Sequence, residues 1–279
     1  MEFNKDLIWR ILEFPKLSLP KIVRDFADPE TFYIESCLNQ IPTGDMKSLA
    51  LDAGAGPQGK KKFLTQKNYL YESSDFESVF DPSSLTKQTY ICSVENLPME
   101  DCRYDVIISI QVLEHLEKPE KALAEMSRVL KTDGMIFLTT NFLYPRHGEP
   151  FDFFRFTLNG LISLSERSGL KVESISPHGG FPAMCAQFLH EVPLYFRNFI
   201  IFGNSHPSFD QRPRKRRIPF LFMMLLPIFV LNFATQILSL LLHSIDFLDK
   251  TNRYTLGYSL VLTKFQDSPI ERNHYEKQK

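Results

Sequence analysis

The sequence is poor in cysteine, tryptophan and glycine: its 279 residues include 4 Cys, 1 Trp and 12 Gly. Cys37, Cys92, Cys102 and Cys185 lie far apart and form no Cys-x-x-Cys pair. A disulfide framework or a zinc site therefore has no support, and the expectation is reduced thiols in a cytosolic chain with no metal. Net charge is also scant. With 32 basic and 33 acidic residues the balance is -1, which argues against bulk electrostatic capture of nucleic acid. The opening Met1-Glu2-Phe3-Asn4-Lys5-Asp6 lacks a basic-then-apolar run, so no signal peptide is expected. The abundant residue is phenylalanine, with 25 copies. Hydrophobic residues make up 43% and charged ones 23%. A packed core is within reach, and the length suits one large domain or a domain with an insertion.

No internal repeat is visible. Residues 1–47 read as short helical pieces broken by Pro15, Pro20, Pro29 and Pro42. From 48 to about 180 strand and helix patterns alternate, the mark of a parallel α/β sheet. Strands are expected at Ser48–Ala53, Asn68–Glu72, Thr89–Ser93, Asp105–Ser109, Met135–Thr140 and Lys171–Ser176. Their continuous apolar centres, such as Val106-Ile107-Ile108, suit strands covered on both faces. A helix is expected over about 119–131, with Pro119 near its start and Gly134 as a left-handed residue past its end. A second, about 158–168, has Thr157 as N-cap and Gly169 as stop.

The segment Leu49-Ala50-Leu51-Asp52-Ala53-Gly54-Ala55-Gly56-Pro57-Gln58-Gly59 is a strand running into a glycine turn. Gly54, Gly56 and Gly59 formally match a dinucleotide fingerprint. Two details turn the reading away from NAD. Asp52 would repel a nearby pyrophosphate, and Lys60-Lys61-Lys62 is a poor opening for the helix a dinucleotide fold packs there. An acid suits a cationic or zwitterionic ligand instead.

With Val112-Leu113-Glu114-His115-Leu116 and then Arg128-Val129-Leu130-Lys131-Thr132-Asp133-Gly134 downstream, residues 45–180 resemble the class I S-adenosylmethionine-dependent methyltransferases, closest to the bacterial small-molecule and glycan-type group. The resemblance implies a doubly wound, mostly parallel seven-stranded sheet with an antiparallel last strand. It implies S-adenosylmethionine as cofactor, held near Asp52, Gly54, Ala55 and Gly56. It also implies an acid at the end of the second strand for the ribose hydroxyls, a role open to Glu72 or Asp75, with Asp75-Phe76 the better match. Ser93 stands where the family commonly has an acid for the adenine amino group, and accepts a hydrogen bond more weakly. Val94, Ile110 and Gln111 would lie beside the adenosyl group.

The acceptor region is expected after the fifth strand, over Asn141–Thr157, because α/β sheets bind ligands at the carboxyl ends of their strands. This stretch resembles a His-x-x-Pro-x-Asp-Phe-x-Arg-Phe-Thr motif of many bacterial methyltransferases. His147 is the candidate general base, its unperturbed pKa being near neutral. Asp152 or Arg155 would orient it or hold the substrate. The alternative is that Asp152 and Arg155 pair structurally. His115 is a second candidate, with a pocket-lining role as its alternative.

Residues 181–249 are rich in Phe, Leu and Ile, and Arg212-Pro213-Arg214-Lys215-Arg216-Arg217 precedes the uncharged run Ile218–Leu242. The run is long enough to span a membrane. A single crossing would, however, strand the expected last strand, Tyr254–Thr263, on the wrong side. Two helices, about 183–202 and 218–248, are expected as an insertion lying in the inner face of a membrane, or alternatively as a soluble lid or dimer surface. The expected organisation is therefore an N-terminal helical segment (1–47), a methyltransferase core (48–180), the insertion (181–249), a returning strand (250–264) and a tail (265–279). The expected activity is O-methylation of a membrane-proximal glycan, lipid-linked or lipid-like acceptor. A soluble metabolite as acceptor, or a non-catalytic adapter, are the alternatives. No nucleic-acid partner is expected, and a homodimer is possible.

Overall fold

The computed structural model describes residues 28–76, 88–202, 218–251 and 253–265. The basic cluster Arg212–Arg217, residues 1–27 and the tail lie outside them. The described chain runs α1 (Pro29–Asn39), β1 (Leu49–Ala53), α2 (Lys61–Gln66), β2 (Leu70–Asp75), β3 (Tyr90–Ile91), β4 (Tyr104–Ile110), α3 (Pro119–Val129), β5 (Leu130–Asn141), α4 (Leu158–Arg167), β6 (Leu170–Pro177), α5 (Phe181–Phe202), α6 (Ile218–Ser244) and β7 (Gly257–Lys264).

The strands form one seven-stranded sheet in the order β3-β2-β1-β4-β5-β7-β6. β1 pairs in parallel with β2 and β4, placing Leu51 opposite Glu72 and Ile107. β7 pairs antiparallel with β5, with Leu138 opposite Leu260. The strand order reverses between β1 and β4, so the crevice at their carboxyl ends is the topological switch point where such sheets take ligands. The core follows from the apolar runs: Leu51, Ile107, Ile136, Leu138, Leu260 and Leu262 are buried with Leu123, Met126 and Leu161 of the covering helices.

Local chemistry sets the element ends. Thr157 Oγ1 accepts from Gly160 N at 3.2 Å, capping α4. Gly169, just past the C-cap Ser168 of that helix, takes φ +78°. Gly134 differs from expectation. Helix α3 stops at Val129, the chain passes straight into β5, and Gly134 lies inside that strand. A Cβ there would come within 2.7 Å of the Leu130 side chain and 3.0 Å of the Asp105 carbonyl oxygen. Close packing, not a left-handed cap, explains this glycine. β2 runs on to Asp75, so Glu72 is an interior strand residue.

The chain divides into two compact units. One holds residues 37–176 and 257–279, the other 1–36 and 177–256. Of the described residues, 28–36 fall in the same unit as the expected insertion. Within it α5 and α6 pack along one another. Tyr33 stacks on the buried His178 ring with centroids 5.7 Å apart, and its hydroxyl donates to Asp246 Oδ2 at 2.7 Å. Asp246 also accepts from the backbone of Gly180 and Ala183. Among the described residues, Val230–Leu248 is long and apolar enough to cross a membrane by length and composition, a test that core helices of soluble proteins also pass.

Candidate active site

The loop after β1 is built for close approach. Gly54 and Gly56 have φ of +79° and +50°, where a side chain is strained. A Cβ on Gly54 would strike Val112 at 2.5 Å, whereas one on Gly56 would meet nothing within 4 Å. The turn is therefore pressed against the β4 side at Gly54 and open at Gly56. The N–H groups of Gly54 and Ala55 both donate to the Ser74 carbonyl, at 2.8 and 3.0 Å. The Gly56 N–H donates to Asp75 Oδ2 at 2.8 Å.

The two rival acids of β2 have different surroundings. Glu72 accepts from Arg103 Nη2 at 2.6 Å and from Tyr104 Oη at 2.6 Å. Burial would raise its pKa, but these donors more than offset it and hold the carboxyl below the usual range. Asp75 is the last residue of its strand, at the switch-point end. Burial raises its pKa, opposed by backbone N–H donors from Phe76 and Gly56.

Asp52 is buried and accepts from Tyr71 Oη at 2.9 Å. Burial pushes its carboxyl up to about 6. Ser93 Oγ accepts from Glu95 N at 3.1 Å, bracing the turn after β3. The Val94 side chain is buried in the core. Gln111 follows β4 with φ +55°, and its two amide atoms are buried without a hydrogen-bond partner. A polar group left so is costly unless a ligand completes it. An open glycine turn, strand-end acids and an orphaned amide fit a ligand with hydroxyl, amino and cationic groups, as S-adenosylmethionine has.

A second group of side chains gathers beyond the carboxyl ends of β4 and β5. Leu113–His115 form a 3₁₀ turn that presents Glu114 and His115. Glu114 is fully buried, accepting from Thr140 Oγ1 at 2.8 Å and Asn141 Nδ2 at 3.0 Å. Burial raises its pKa. Its backbone carbonyl accepts from Phe153 N and Phe154 N, tying the turn to the loop after β5. That loop brings in His147, whose ring meets the His115 ring edge-on with centroids 4.7 Å apart. Burial and the neighbouring His115 lower the His147 pKa.

Asp152 and Arg155 are engaged with each other. Arg155 Nη1 donates to Asp152 Oδ1 at 2.6 Å and Nη2 to Oδ2 at 2.9 Å. Asp152 also accepts from His147 N at 3.0 Å. The Arg155 partner holds the Asp152 carboxyl down to about 2. Arg155 reaches the carbonyls of Tyr144 and Pro145 as well. The pair thus fastens the loop that carries His147, which is the structural alternative weighed from sequence. Of the loop phenylalanines, Phe156 is buried in the core, while Phe153 and Phe154 are exposed.

Sequence reasoning named His147 and His115 separately but did not group them with Glu114. The Val-Leu-Glu-His motif was visible, yet its carboxylate gains meaning only once the β5 loop folds over it.

Comparisons with known proteins agree with this frame. Residues 51–138 match the family model described as a methyltransferase domain. The structure is similar to that of the [4+2]-cyclase SpnF, with a TM-score of 0.51, 14% identity, and coverage of 84% of this chain and 80% of that one. It is also similar to a protein from Galdieria sulphuraria assigned as a sarcosine dimethylglycine methyltransferase, with a TM-score of 0.50, 16% identity, and coverage of 85% and 84%. At these identities the likeness is one of fold. No curated protein matches the sequence.

Proposed function

We propose that this S-adenosylmethionine-dependent methyltransferase places its methyl group on an oxygen of a membrane-proximal acceptor, a glycan, lipid-linked or lipid-like molecule. The cofactor supplies an electrophilic methyl on a cationic sulfur. The chain's own residues do the rest. Asp75 receives the ribose hydroxyls through charge-assisted hydrogen bonds. Asp52 balances positive charge, the glycine turn admits the ligand backbone-close, and Gln111 gains the partner it lacks. Ser93 and Ile110 border the adenine end.

The observation that carries the oxygen assignment is the grouping of Glu114, His115 and His147. It stands at the carboxyl ends of β4 and β5, where an acceptor enters. An amine loses its proton readily once methylated, whereas a hydroxyl needs help before or during attack. A buried carboxylate flanked by two imidazoles is suited to give that help. Asp152 and Arg155 act as positioning residues for the loop.

Membrane proximity is supported by the side chains α6 and the turn after it leave in solvent, among them Phe233, Leu241, Phe247 and Leu248. The basic cluster Arg212–Arg217 would sit on anionic headgroups.

Incubating the protein with labelled cofactor and membrane extract, then identifying the labelled product, tests the reading. A methyl ether or ester in the lipid-extractable fraction is expected. Label confined to soluble metabolites removes the membrane-proximal acceptor, and label on nitrogen removes the oxygen assignment. His147→Ala should lower turnover by at least about 100-fold with cofactor affinity little changed; wild-type turnover in that variant would sink its role.

A further inference from the structure

We infer that Glu114, His115 and His147 form a binding site for one divalent transition-metal cation. Each offers a ligand atom, and the three atoms lie within 4.8 Å of one another. Tetrahedral ligands about 2.0–2.2 Å from a common ion stand roughly 3.3–3.6 Å apart, so side-chain rotations that draw the three atoms together bring them onto one centre.

The imidazoles are held in an orientation that a metal ligand needs. His115 Nδ1 lies 2.5 Å from the Phe151 carbonyl oxygen, and His147 Nδ1 lies 3.1 Å from that of Pro145. A carbonyl only accepts, so each Nδ1 is the donor, and in the neutral ring Nε2 is then the nitrogen with the lone pair. A backbone carbonyl behind Nδ1 is the usual outer support of a metal-bound histidine. Arg155 Nη2 also approaches His147 Nδ1, at 3.4 Å, but has shorter partners in Pro145 O and Asp152 Oδ2, both at 2.9 Å.

The carboxylate lacks a countercharge at contact distance. Glu114 is buried, its direct hydrogen-bond donors from side chains are the neutral Thr140 and Asn141, and among the described residues no Lys or Arg forms an ion pair with it. Arg155, the cation nearby, is neutralised by Asp152. A cation bound beside it would supply the opposite charge that no neighbouring Lys or Arg supplies at contact distance. Each oxygen keeps a second lone pair beside its hydrogen bond.

The donor set selects the metal. Two nitrogens and one carboxylate oxygen suit zinc, cobalt, manganese or ferrous iron, whereas magnesium and calcium prefer all-oxygen shells. Three protein ligands leave coordination positions open, and the His147 side chain is 29% exposed, so a small ligand can reach the site. Such a cation lowers the pKa of a hydroxyl that binds it. Only this role rests on the oxygen-acceptor reading; the site itself stands on the side chains. The cysteines offered no metal site in sequence, and these ligands come from two separate segments instead.

The test uses the metal-stripped full chain, without cofactor or acceptor. Titration with cobalt(II), followed by visible absorption, and with zinc(II), followed by calorimetry, should each show one equivalent bound per chain. Glu114→Gln and His147→Ala should each weaken binding at least tenfold. Circular dichroism melts check folding, and His147→Ala, on a partly exposed loop, remains informative if Glu114→Gln fails to fold. No binding at millimolar metal by the folded chain overturns the inference. So does binding that neither variant changes. The oxygen-acceptor reading fails separately, on the atom that carries the label, whatever the metal titration gives.

Discussion

The Gly56 N–H donates to Asp75 Oδ2 at 2.8 Å, so the turn after β1 and the last residue of β2 hold one another in place. Asp75→Asn removes the charge from that contact and from the proposed ribose site together. A charge-assisted hydrogen bond contributes about 1.5–3 kcal/mol, so calorimetry should show S-adenosylmethionine binding weakened roughly 10- to 100-fold. Glu72→Gln should leave affinity nearly unchanged and lower the melting temperature, because its carboxylate serves Arg103 and Tyr104. Equal loss of affinity in both variants would remove the distinction between the two acids.

The same comparison shows what was legible in the sequence. The apolar centres of β1, β4 and β5, the Thr157 cap and the glycine turn all announce themselves locally, because their causes lie within a few residues. Glu72 and Asp75 are three residues apart, and only the sheet register tells which one reaches the open edge. Gly134 reads as a helix stop until Asp105 O and the Leu130 side chain are found against it. Glu114, His115 and His147 could not be grouped from sequence, since their meeting depends on a loop folding back over a turn. Tyr33, His178 and Asp246 are likewise joined only through long-range packing.

Burial holds the Asp52 carboxyl at about 6, and a cationic cofactor favours its ionised form. Affinity should therefore be full above pH 6 and fall as pH drops below it, approaching tenfold per unit. Calorimetry at pH 7.5 and pH 5 checks this. Asp52→Asn should bind more weakly at pH 7.5 and lose most of the pH dependence, leaving a shallower fall from Asp75, which burial also raises. An unchanged profile in that variant would assign the dependence elsewhere.

Asp152 is nearly buried and doubly bonded to Arg155. Removing one partner of such a pair costs roughly 3–5 kcal/mol when fully buried. A quarter of the Arg155 side chain meets solvent, so Asp152→Asn should fall at or below the lower end. The double variant Asp152→Asn, Arg155→Met should cost less than the sum of the singles, by at least about 1 kcal/mol. Denaturant midpoints measure the difference, and simple additivity would mean the pair does not hold the loop.

His178 is buried, and desolvation lowers its pKa to about 3. In the unfolded chain it titrates near 6.5. The unfolded state binds the proton first, so stability of this unit is full above pH 6.5 and declines progressively towards pH 3. The upper bound on that loss is roughly 4–5 kcal/mol. His178→Phe keeps a ring against Tyr33 and should flatten the decline between pH 6.5 and 4 in equilibrium unfolding. A slope equal to wild type would place the sensitivity on another group.

Strand β7 stands between β5 and β6 in the sheet, yet it is made after both. Until it leaves the ribosome, β5 presents a bare hydrogen-bonding edge and β6 has no strand beside it. The apolar helices α5 and α6 are synthesised in that interval. The nascent chain therefore carries an open sheet edge and its greasiest segment at the same time. Its exposure to misassembly during synthesis is thus greater than its neutral overall composition suggests.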